Sequence, residues 1–142
     1  ERIIDWTKTK NLQPHAVPVP SLAAELIESI IPNEHGWFFP SAKDPSKPVS
    51  HGTLYSFVWR QRDRGVIPHA TNRDLRRTFK TLAGKAGIPK EIRDRLQNHA
   101  LQDVSSKHYD RWNYMVEKRA GMAKWDKFVR AMLAKKRLKA AA

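Results

Sequence analysis

The chain has 142 residues, 40% of them apolar, with 27 lysines and arginines against 14 acidic residues, a formal net charge of +13 and no cysteine. That length suits one domain with a real core, and the missing cysteines exclude disulfides, thiolate catalysis and cysteine-based zinc sites. The charge points to an acidic polymer, most often nucleic acid, ahead of a membrane surface. No run approaches the roughly 20 apolar residues of a spanning helix. The N-terminus shows no export signal, so the expected place is the cytoplasm.

In chain order, Ile3-Ile4 and Trp6 come before a polar turn, and Ala16-Val17 and Val19 follow it. Two short apolar runs around a polar turn predict a β-hairpin within residues 1–20. Pro18 and Pro20 restrict its second arm to an edge or an exit. Ser21 is placed to cap a helix in which Leu22, Leu26 and Ile30 recur every four residues, with Glu25 assigned to its first turn and Pro32 as its end. A Pro-, Gly- and Ser-rich loop follows, with an apolar stop at Trp37–Phe39. Ser50 then starts a helix to about Arg62, with Leu54, Phe57 and Val58 inward and Arg60, Arg62 and Arg64 as a basic end.

Between His69 and Gly87, the residues Leu75, Phe79, Leu82, Ala83 and Ala86 form a helical stripe, with cap chemistry from Thr71 to Asp74. Gly87 stops that helix and Pro89 starts the next, which turns Ile88, Ile92 and Leu96 inward and leaves His99 just past its end. Further helices are expected over roughly 102–109 and 114–136. The last carries Met115, Met122, Trp125, Val129 and Met132 on one stripe and runs into a basic tail. There is no internal repeat and no Gly-rich phosphate loop.

The cations of the His69–Gly87 helix hold the most chemical information. Arg73, Arg76, Arg77 and Lys80 are spaced by three and four, so they form one patch, with Asp74 the one acid among them. A merely solvated face would intersperse glutamates, so a grip on phosphate is the preferred reading, helped by the positive end of the helix dipole. With no cysteine, a nucleophile must be Ser, Thr, Tyr, Lys or a carboxylate. No Gly-x-Ser-x-Gly elbow is present. The six histidines have no metal-ligand spacing, and no metal or cofactor is expected.

The run from Arg73 to Tyr109 resembles the catalytic domain of the tyrosine recombinases, or phage integrases, and looks most like those of prophages and genomic islands. The family's middle box, His-x-Leu-Arg-Arg/His-Thr/Ser, is matched by "RDLRRT". Its Leu-Gly-His box is matched by "LQNH", and a tyrosine follows ten residues after His99. Upstream, "TKTKNLQPHAVPVP" is similar to the hairpin that carries the family's catalytic lysine. The fold implied is mainly α with a small β-hairpin (α+β), of the DNA breaking-rejoining type. One catalytic domain would span 1–142, with the lysine hairpin at 1–20, a helical core at 21–111 and a terminal amphipathic helix and tail at 112–142.

The resemblance implies site-specific DNA recombination through a 3′-phosphotyrosyl intermediate. Tyr109 would be the nucleophile, Arg76 the clamp on a nonbridging oxygen, His99 a phosphate contact, and Lys8 (or Lys10) the acid that protonates the leaving 5′-oxygen. Arg77, Lys80 and Lys10 would contact the DNA backbone, with Arg93 and Arg95 as further backbone surface. Each has a plainer alternative: Lys8 as a turn lysine, His99 as a helix cap, and Tyr55 or Tyr114 as rival tyrosines. The implied partners are duplex DNA at attachment sites and three further copies in a tetramer of the full-length protein, whose terminal helices dock on neighbours.

Two departures matter. Arg73 stands where the family has His, and arginine stays protonated, so a base role there is lost or moved; His69, in the preceding loop, is a poor replacement. The family's first catalytic Arg and its DNA-grasping domain lie ahead of the lysine hairpin and have no match here. The expectation is therefore a piece of a longer integrase, inactive or weak alone. The alternatives are a non-catalytic DNA-binding module derived from an integrase, an RNA-binding basic protein, and a relaxing topoisomerase of the same chemistry.

Overall fold

The computed structural model describes residues 2–7, 9, 14–99 and 113–141, apart from the side chains at 54 and 139–141. The fold is mainly helical with one two-stranded antiparallel sheet, an α+β arrangement. Strands β1 (Ile3–Trp6) and β2 (His15–Pro18) are followed by helices α1 (Ser21–Glu28), α2 (His51–Asp63), α3 (Asn72–Lys85), α4 (Lys90–Leu96) and α5 (Met115–Ala141). The helix expected over 102–109, and the hairpin turn with Lys8 and Lys10, lie outside the described residues. The chain divides into two compact units, Glu1–Glu25 with Lys80–Ala142, and Leu26–Phe79.

In the first unit the hairpin register runs from Ile3 opposite Pro18 to Trp6 opposite His15. Trp6 and His15 stack with ring centroids 5.5 Å apart, a cross-strand pair that fixes the register. The core is small: Ala83, Ile88, Ile92 and Leu96 are buried. Helix α5 crosses it at Gly121, where a Cβ would lie 3.3 and 3.4 Å from methyls of Ile92 and Ile88. Glycine thus lets the α5 backbone sit directly on α4. Nearby, the buried Lys118 donates its ammonium to the Ala16 carbonyl at 2.9 Å, which ties α5 to β2. Burial, with the charge of Arg95, holds this amine below the ordinary lysine range.

The expectations about α1 change: Ser21 is its first residue rather than its cap, and it ends at Glu28, ahead of Ile30 and Pro32. Its stripe residue Leu26 is 61% exposed, and Glu25 sits in the second turn rather than the first. The acid at the helix start comes from α5 instead. Asp126 accepts from the Leu22 N–H at 2.7 Å and the Ser21 hydroxyl at 3.0 Å, so a distant carboxylate serves the positive pole of α1. Burial opposes ionisation of Asp126, but these bonds and one from Arg130 outweigh it and hold its pKa below the ordinary range. Glu25 accepts from Arg130, which also donates to Asp126 at 2.7 Å. Much of α5 is therefore spent on its own unit.

In the second unit, Ser50 caps α2 by accepting from the Thr53 N–H. The loop before it is organised by polar side chains. Asn33 accepts from the His35 and Trp37 N–H groups and donates to the Pro45 carbonyl at 2.8 Å, while the Trp37 indole donates to the Ser46 carbonyl at 2.9 Å. No described residue of this unit is buried. Phe57 and Leu75, expected inward, are 54% and 68% exposed. A unit of this size has too little mass to cover both faces of its helices.

Candidate functional site

The cationic helix α3 begins with a cap in which the Asp74 carboxylate is the acceptor. Thr71 donates its N–H at 2.9 Å and its hydroxyl at 2.8 Å to Asp74 Oδ2, which holds Asp74 below the ordinary carboxylate range. The Asp74 Oδ1 takes Arg77 at 3.2 Å. The acid within the cation patch is thus occupied by the cap and by Arg77. Arg73 and Arg76 are exposed on the same helix. His69 faces Arg62 at 3.3 Å.

At the other end, α3 closes in a glycine turn. Gly87 takes φ +78°, its N–H bonds the Gly84 carbonyl, and the Ile88 N–H bonds the Ala83 carbonyl, with both apolar ends of that bond buried. Helix α4 closes in the same way with asparagine in place of glycine. Asn98 takes φ 51°, its N–H bonds the Arg95 carbonyl at 3.2 Å, and the His99 N–H bonds the Asp94 carbonyl at 2.9 Å. The sequence "LQNH" is therefore a helix stop that delivers His99 to a fixed place.

That place holds a second carboxylate. Asp94 Oδ1 lies 2.9 Å from His99 Nδ1 and 2.6 Å from Lys80 Nζ, and Lys80 Nζ lies 3.4 Å from the same ring nitrogen. The Lys80 bond, opposed by partial burial and joined by the His99 bond, holds Asp94 below the ordinary carboxylate range. Lys80 is one helical turn after Arg76 in α3. Expected as a DNA-backbone contact, it is here the partner of Asp94.

Arg93 and Arg95, expected as backbone surface, are engaged within the protein. Arg93 donates to the Lys80 carbonyl at 2.5 Å, across the side-chain gap left by Gly84. Arg95 pairs with Glu91 and lies over the Tyr114 ring at 3.4 Å from its centroid, with its side chain 13% exposed. This cation–π contact occupies Tyr114, one of the rival tyrosines. Of the predicted site residues, the structure brings Lys80 and His99 together. Arg73, Arg76 and Arg77 lie on the part of α3 assigned to the second unit. Tyr109, Lys8 and Lys10 lie outside the described residues. Among the described residues no cluster of His, Asp and Glu suits a metal ion, and no helix is long and apolar enough to cross a membrane.

The comparison with known proteins adds one relation. The chain is similar to a prophage integrase. Over 130 residues it is 25% identical to prophage integrase IntA of Escherichia coli (strain K12). The likeness takes in 90% of this chain and 31% of the length of IntA. A stretch of that extent must include the middle of the chain, so the IntA match contains the α3–α4 segment from Arg73 to His99, and Tyr109 after it. No protein-family model matches the chain, and no solved structure matches it.

Proposed function

We propose that this chain is the catalytic part of a tyrosine recombinase of the prophage-integrase type, acting on duplex DNA at attachment sites as part of a tetramer. The supporting observation is the order "RDLRRT", "LQNH", Tyr109 inside a stretch similar to prophage integrase IntA. The cap at the start of α3 and the Asn98 closure of α4 support this reading, since the first lies within "RDLRRT" and the second sets the backbone at His99.

The roles follow from the chemistry of the side chains. Arg76 offers a planar fork of donors to a nonbridging phosphate oxygen and offsets charge that grows in the transition state. Tyr109 attacks phosphorus, a 3′-phosphotyrosyl bond forms, and the bond to the 5′-oxygen breaks. Lys8 gives the leaving oxygen its proton. The 5′-hydroxyl of a second strand reverses the step. Arg73, a cation where the family pattern has His, adds a phosphate contact.

The test is trapping of a covalent adduct. The native gene product is incubated with nicked duplex DNA and denatured, and protein-linked DNA is measured. An adduct is expected with the native protein, none with Tyr109→Phe, and at most a trace with Arg76→Ala, while both variants still bind DNA. Binding without an adduct in the native protein would instead identify a non-catalytic DNA-binding module.

A further inference from the structure

We infer that Asp94 is a positioning residue for His99: it fixes the neutral ring with the proton on Nδ1, so that Nε2 is the nitrogen that takes up a proton. The reaction step in this inference rests on the recombinase reading above; the tautomer does not.

The geometry decides the tautomer. Among the described residues Nδ1 faces a carboxylate oxygen at 2.9 Å and the Lys80 ammonium at 3.4 Å. An ionised carboxylate only accepts and an ammonium only donates. Were Nδ1 unprotonated, its lone pair would face an oxygen lone pair at 2.9 Å and gain only a long contact to Lys80. With the proton on Nδ1, the short contact becomes a hydrogen bond of ideal length. Lys80 is already satisfied, because it donates to the same Oδ1 at 2.6 Å. The His99 N–H bond to the Asp94 carbonyl holds the backbone as the carboxylate holds the ring, so a single residue sets both.

The consequence concerns the residue that differs from the family pattern. Arg73 cannot accept a proton. A neutral His99 with its proton on Nδ1 carries a lone pair on Nε2, the arrangement in which a carboxylate-backed histidine acts as a base. In the proposed reaction the proton of the Tyr109 hydroxyl passes to His99 Nε2 as the oxygen–phosphorus bond forms. The bond from phosphorus to the 5′-oxygen breaks, and that oxygen takes its proton from Lys8. The imidazolium so made carries N–H at both nitrogens, one on Asp94 and the other now able to donate to a phosphate oxygen. His99 thus changes from acceptor to donor within one step.

The test begins with the 142-residue chain. Long-range nitrogen–proton NMR correlations of His99 in its neutral state report the tautomer directly. The expected result is Nδ1–H in the wild type and a shift toward Nε2–H in Asp94→Ala. A wild-type ring with its proton on Nε2, or an unchanged tautomer in a folded Asp94→Ala, overturns the inference. The wild-type measurement is decisive even if the variant fails to fold. In the native gene product, Asp94→Ala should slow adduct formation by roughly 10²-fold, the lower range for general acid–base groups, with DNA binding retained. Adduct formation at the native rate would overturn the proton role. If the native protein forms no adduct at all, the recombinase reading falls, and the NMR result still decides what Asp94 does.

Discussion

His99 is held by two backbone-scale devices that a residue list does not reveal, and both can be tested by changing one side chain. Asn98 must adopt φ 51°, a left-handed conformation open to asparagine and glycine but costly for branched residues. Asn98→Gly should therefore keep the turn and the His99 position. Asn98→Val should cost about 1–2 kcal/mol, the price of forcing a β-branched residue into that region. Denaturant unfolding measures the cost, and the His99 tautomer signal reports the position. Equal stability of the two variants would show that the turn does not need the left-handed residue. The sequence marked His99 by its box and its place past a helix. It did not mark Asp94, because a contact between residues five apart exists only once the chain has reversed at Asn98. The available signal was the pattern acid, three intervening residues, asparagine, histidine at a helix end.

At the scale of elements, helix type and order were legible because period and punctuation agree in α2, α3, α4 and α5. Ser50, Gly87 and Pro89 all stand at the ends they were expected to mark. The buried trio Ile88, Ile92 and Leu96 was legible for the same reason. What the pattern could not carry is which residues are buried by partners far along the chain. Asp126 serving α1 and Lys118 serving β2 are examples. Gly121 is another, since it reads as a weak point in a helix and is in fact the contact surface for α4. Gly121→Val places two methyl groups against Ile88 and Ile92, and overpacking should cost about 1–3 kcal/mol despite any gain in helix propensity. An unchanged thermal midpoint would place α5 elsewhere. The carboxylates that join elements set a pH dependence. Asp94 and Asp126 are both held below their ordinary range, so the unfolded chain binds these protons more tightly than the folded chain. Their contribution is present at neutral pH, begins to fall near the unfolded carboxylate value of about 4, and is lost as pH drops through the folded values. Asp94→Asn should flatten that acid limb in urea titrations across pH, and a limb of native steepness would show that the Lys80–Asp94–His99 contact adds nothing to folding.

For the whole molecule, the net charge of +13 is not spread evenly over free cations. Lys80, Arg77, Arg95 and Arg130 are paired with acids, and Lys118 is buried. Among the described residues, cations such as Arg73 and Lys85 on α3, Lys90 on α4 and Lys127, Lys135 and Lys136 on α5 are exposed and have no acidic partner. A count of basic residues in the sequence therefore overstates the surface available to phosphate, and the structure shows which cations have already been used. Counterion release turns this into a number. Each phosphate neutralised on duplex DNA contributes about −0.9 to the slope of log affinity against log salt. About four such contacts give a slope of about −3.6, or a loss of about 150-fold in affinity as salt rises from roughly 50 to 200 mM. Arg73→Ala should reduce that slope by about one contact, whereas Lys80→Met should hardly change it, because Lys80 already faces Asp94. Fluorescence anisotropy with one labelled duplex across a salt series measures both slopes. A Lys80 effect equal to that of Arg73 would mean that DNA draws Lys80 away from Asp94, leaving Asp94 with His99 as its partner. A shallow slope together with tighter binding to structured RNA would move the charge argument from duplex DNA to a different polyanion, while leaving the Asp94–His99 geometry as it stands.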